Sequence, residues 1–145
     1  MRILFFLVLI INYSCFAQNN VDKYKSTQDT YTVNIVIIEK ALDLKNFKPY
    51  LHLEIPDRNN ISFYSLYPLQ PNDSEYFDLF SKHVKILQKG MEHRNRNLIR
   101  LLNVTQSGSI LNLTFDYKIE GIVINVQIDS KDNKYTVIDY KIMER

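Results

Sequence analysis

The residues able to do acid–base or metal chemistry in this chain are few: three histidines, His52, His83 and His93, and one cysteine, Cys15. His52 stands two positions before Glu54 in Tyr50-Leu51-His52-Leu53-Glu54-Ile55, with Arg58 close behind. In an extended segment that spacing puts both side chains on one face, and a histidine beside a carboxylate is the pairing a general base uses. It is also half of a zinc site. The further ligands zinc needs are not near in sequence, and the zinc-deaminase pattern requires cysteines that the chain lacks. An edge strand with a polar outer face accounts for the same residues without chemistry. Tyr50 and His52 still stand out as ligand contacts, because an aromatic and a histidine beside a loop suit a small-molecule site.

The other concentration of charge is His93, Arg94, Arg96 and Arg100. Such a cluster grips phosphate or an acidic partner, or forms a solvated face with apolar residues behind it. His83, beside Lys82, reads as exposed. The three glycines, Gly90, Gly108 and Gly121, form no phosphate loop, and no serine sits in a nucleophile elbow. Asp116 and Asp139 fall on different predicted strands. Paired-carboxylate catalysis would need them to converge, and alternation puts Asp116 on a wet face as a surface residue. No catalytic constellation and no cofactor is implied.

The chain's start reads as an address. Arg2 precedes the apolar run 3–11, and Cys15-Phe16-Ala17 places small residues where signal peptidase reads, so cleavage is expected between Ala17 and Gln18. The run is too short to span a bilayer. Lipidation through Cys15 is the rival, but Asn12 occupies the position where that signal wants an aliphatic residue. The resulting division is a signal peptide at 1–17, a polar leader at 18–27 and a single domain at 28–145, in a periplasmic or secreted protein with no transmembrane segment after signal removal. Removing Arg2 from 18 basic residues leaves 17 against 16 acidic ones, a balance that argues against nucleic acid as partner. Without Cys15 the domain has neither disulfides nor thiol chemistry and must stand on its core.

Positioning falls to a sheet. Residues 109–142 read as three strands: Leu111, Leu113, Phe115 and Tyr117 alternate with polar residues, as do Ile122, Ile124, Val126 and Ile128. Glu120-Gly121 and the polar run 129–134 supply the reversals, giving an antiparallel meander. Upstream, 30–45 reads as a helix with Ser26 or Thr27 as cap, and 51–55 and 61–67 as short strands. Asn72 and Glu75 form a capping box for a helix carrying Tyr76, Phe80, Val84, Leu87 and Met91 at helical spacing. Gly90 stops it, and a shorter helix is expected across 91–102. The expected class is α+β: an antiparallel sheet ending in the meander, with helices packed on one face.

Tyr117-Lys118-Ile119-Glu120-Gly121 and the closing strand at 133–140, with Tyr135 where a Trp is usual, resemble the last sheet of small exported NTF2-like or cystatin-like domains of Bacteroidetes-type bacteria. That resemblance covers about a quarter of the chain. It implies a curved sheet and helices around a binding pocket, and it carries over no catalytic residue. The expected function is a non-catalytic exported binding or accessory module for a small apolar ligand or an envelope protein. Two alternatives are a small hydrolase or isomerase using His52, and an inhibitor or immunity-type protein presenting a sheet edge or the arginine cluster.

Overall fold

The computed structural model describes residues 31–70 and 75–145. The expected signal peptide, cleavage site and leader, and the expected capping positions Ser26, Thr27 and Asn72, lie outside the described residues. Among the described residues no helix is long and apolar enough to cross a membrane.

Among the described residues there is one α-helix, α1 (Ile35–Leu42). Its sequence is rich in β-branched residues with modest helix propensity, so burial must hold it. Ile35, Ile37, Ile38, Ala41 and Leu42 are all buried, and each large aliphatic contributes about 1.5–3 kcal/mol on leaving water. Asn34 caps the helix by accepting the Val36 N–H at 2.8 Å. The helix expected over 30–45 is therefore shorter than its apolar pattern. Before it, Val33 instead forms a bridge to Leu69.

Among the described residues seven strands follow: β1 (Ser62–Ser65), β2 (Tyr76–Leu79), β3 (Lys82–Ile86), β4 (Leu98–Ser107), β5 (Ile110–Tyr117), β6 (Ile122–Asp129) and β7 (Thr136–Glu144). They form one sheet in the order β2-β3-β1-β4-β5-β6-β7. β1 runs parallel to both β3 and β4, and the other neighbours are antiparallel. α1 packs against β2 near one end of this order and against β6 and β7 at the other. A single helix reaches both ends because the sheet curls around it as a half-barrel.

This overturns the expected α+β class with helices layered on an antiparallel sheet: the described residues are mostly sheet, the sheet is mixed, and α1 fills its concave side. The largest change is at 75–86, a β-hairpin and not a helix. Phe77, Leu79 and Val84 are buried while Tyr76, Asp78 and His83 are exposed, which is period two. The helical spacing of Tyr76, Phe80 and Val84 is coincidental. The two-residue turn places Phe80 at φ 49° and Ser81 at φ 64°, the left-handed geometry a tight hairpin requires, here without the usual glycine or asparagine. The helix expected at 91–102 is likewise a short 3-10 turn (Glu92–Arg94) followed by β4.

The strand expected at 51–55 is absent. Lys48–Leu51 and Pro56–Arg58 are 3-10 turns with Pro49 and Pro56 in their first positions, and His52 between them has φ 47°. That backbone cannot enter a ladder.

The C-terminal meander is present. β5, β6 and β7 pair antiparallel, Gly121 turns the chain at φ 65°, and Leu111, Leu113, Phe115, Tyr117, Ile122, Ile124, Val126 and Ile128 are all buried. Tyr117 meets Phe47 edge to face at 5.9 Å.

Candidate functional site

Along β4, Ile99 and Leu101 enter the core around α1. Side chains alternate faces along a strand, so Leu98 and Arg100 leave the sheet on the opposite face. There they meet the turn Lys118–Glu120, which follows β5, and the loop before β4. Leu98, Arg100, Lys118, Ile119, Arg96, Asn95, His93 and Glu92 enclose a pocket of about 380 Å³, within the size range of small-ligand sites.

Its charge is unbalanced. Arg96 and Lys118 are exposed at its rim. Glu92, the acidic residue in the lining, turns back on its own loop, where its Oε2 accepts the Gly90 N–H at 2.6 Å. Hydrogen bonding from the backbone at Glu92 and Gly90 holds this carboxyl below the usual glutamate range. His93 Nε2 lies 3.7 Å from its other oxygen.

Arg100 has a second duty. Asp116 stands directly opposite it on β5 and is completely buried. Arg100 Nε donates to Asp116 Oδ2 at 2.8 Å, with Nη2 also on that oxygen. Arg145 Nη2 reaches Oδ1 at 2.7 Å. The expectation that Asp116 is a surface residue is therefore wrong. It does lie on the face away from α1, as alternation requires, but two guanidinium groups cover it.

A polar chain beneath the pocket fixes the loop that lines it. Tyr117 Oη donates to Asn97 Oδ1 at 2.6 Å, and Asn97 Nδ2 donates to the Arg58 carbonyl at 2.7 Å. Asn95 Nδ2 donates to the buried Ser62 Oγ at 2.5 Å. Arg58 Nη1 pairs with Glu120 Oε1 at 2.5 Å. Burial alone would lower the Arg58 pKa, but its hydrogen bonds to Glu120 and Tyr117 outweigh that and raise it. Burial raises the Tyr117 pKa, against the opposing influence of Arg58.

His52 belongs to this second cluster. Its Nδ1 is 3.2 Å from Glu54 Oε1 and its Nε2 is 3.6 Å from Glu120 Oε2. A hydrogen bond from its own backbone N–H, together with His52, lowers the Glu54 pKa. With a carboxylate at each ring nitrogen, His52 works as a clasp between the 52–58 segment and the Glu120 turn. A general base would need one nitrogen facing a substrate.

No protein family, curated protein or solved structure matches this chain.

The sequence candidates thus fall into two groups. Arg96 and Arg100 share the pocket, and Arg94 lies in the 3-10 turn that borders it. His52 and Arg58 meet on Glu120, and Tyr50 packs half-buried against the core. Lys118, Ile119, Asn97, Glu120 and Arg145 were not anticipated. The turn residues had a usable signal in Glu120-Gly121, which predicts a reversal after β5 and hence an exposed Lys118. Asn97 and Arg145 had none, since their partners are set by tertiary contact.

Proposed function

We propose that the protein is a non-catalytic exported binding module whose ligand is a small anion with an apolar body, such as a carboxylate, seated between β4 and the Glu120 turn. The observation that carries this reading is the pocket's lining: Arg96 and Lys118 at the rim, Leu98 and Ile119 as apolar walls, and the carboxylate of Glu92 turned aside. Cations at the rim recognise a carboxylate by charge-assisted hydrogen bonds, while the apolar walls take the tail. The signal-peptide grammar of residues 1–17 supports export. The reading also keeps the binding role implied by the resemblance to NTF2-like and cystatin-like domains.

Hexanoate, hexanol and inorganic phosphate are the probes, followed by calorimetry and by amide chemical shifts. Hexanoate should bind best, with shifts at Arg96, Leu98 and Ile119. Arg96→Ala and Lys118→Ala should each weaken it roughly 10-fold, the loss of one charge-assisted contact. Equal binding of hexanol, or hexanoate affinity untouched by both substitutions, overturns the reading.

A further inference from the structure

β7 is an outer strand of the sheet, and among the described residues nothing pairs with its free edge. It is nine residues long, against four for β2 at the other side. Long open edges invite pairing, and proteins blunt them with proline, bulges or inward charge. β7 has no proline. Its one irregularity falls at Ile138, where the register with β6 shifts, and Asp139 to Glu144 then pair regularly with β6.

The charges on this edge are arranged to attract. Asp139 and Lys141 flank Tyr140 on the face away from the core, while Tyr140 and Ile142 pack partly into it. Opposite Asp139 and Lys141 on β6 stand the uncharged Gln127 and Asn125, so neither charge is answered across that ladder. When two copies of β7 lie antiparallel with Tyr140 on the symmetry axis, each Asp139 faces the other copy's Lys141. The nearest registers that keep matching faces place Asp139 against itself or Lys141 against itself, and like charges directly opposite are destabilising. Of these three registers only the one centred on Tyr140 is attractive, and it is isologous, as a two-fold dimer requires.

We infer that the protein self-associates through β7, joining two half-barrels edge to edge about Tyr140 with two Asp139–Lys141 pairs. A net charge of only +2 leaves little general repulsion between copies. An edge ladder is a small interface, so the expected dissociation constant is about 1–10 μM, in the range of transient contacts.

Sedimentation velocity on the purified protein up to about 100 μM tests this, a concentration well above that constant. The unmodified chain should be dimeric at the upper end. Asp139→Lys places two cations on the edge and Lys141→Asp two anions. Each should weaken self-association about 10- to 100-fold by turning both pairs repulsive, with circular dichroism unchanged. An equimolar mixture of the two variants should form a heterodimer, and the double swap D139K/K141D should restore the homodimer. A wild-type chain monomeric throughout overturns the inference. So do single variants that dimerise as the wild type does, or a mixture that stays monomeric.

Discussion

Arg100→Met removes the guanidinium from Asp116 while keeping an unbranched apolar stem. Asp116 is completely buried, and its remaining partner would be Arg145, whose side chain is 51% exposed. Breaking a fully buried ion pair costs about 3–5 kcal/mol, because the surviving charge stays desolvated. Arg100 is itself 35% exposed and Arg145 persists, so a cost below that range, about 2–3 kcal/mol, is expected. With a urea slope of about 1.5 kcal/mol/M for a domain of this size, the midpoint should fall by about 1.3–2 M. Pairing it with Asp116→Leu supplies the decisive comparison. Once the carboxylate is gone the arginine has nothing to neutralise, so R100M/D116L should recover to within about 1 kcal/mol of wild type. Urea melts followed by far-ultraviolet circular dichroism measure all four corners of the cycle. If Arg100→Met costs less than about 0.5 kcal/mol, or if the two single effects simply add, then the pair does not hold this face of the sheet together.

Two further outcomes rest on backbone and proton chemistry. Ser81 holds a left-handed conformation in the β2–β3 turn, so Ser81→Gly should stabilise by up to about 1 kcal/mol, read as a rise in melting temperature; a fall would mean that the hydroxyl makes a contact worth more than the strain. Tyr117 is kept neutral by burial, with a folded pKa above the ordinary 10.0. The stability it contributes is complete below that ordinary value and drains away as pH rises from there through the folded pKa. Urea midpoints at about pH 9 and about pH 11 should therefore fall less for Tyr117→Phe than for wild type, the residual fall reflecting Tyr31, also raised by burial. Equal falls would show that the phenol is not the titrating group.

What could be read from the sequence was whatever is encoded locally. The meander's alternation and Gly121 give strands, faces and one reversal, because neighbouring strands are also neighbours in the chain. The hairpin at 76–86 was misread for an equally local reason: apolar residues at Tyr76, Phe80 and Val84, one every fourth position, mimic a helix stripe, and Phe80-Ser81 lacks the Asn-Gly chemistry that marks a tight turn. Asp116 shows the limit of alternation. Its face was legible, but its burial depends on Arg100 and on Arg145, residues that only the folded sheet brings over it. The pocket was half legible. Arg96 and Arg100 stood out as a basic cluster, but Lys118 and Ile119 become its other wall only because β5 pairs with β4.

The parallel placement of β1 between β3 and β4 also sets an order of events. A parallel pair cannot close through a tight turn, and β1 has no lasting partner until β3 and then β4 exist. The meander needs only short-range closures, which are fast, whereas the β1 pairings span longer loops and are slow. A chain emerging N-terminus first therefore presents β1 with its apolar residues Phe63 and Tyr64 before the strand that completes their burial. The N-terminal half waits for the C-terminal half, and a chain cut short before β4 would be left with an unfinished sheet edge, the kind of surface that chaperones hold and proteases clear.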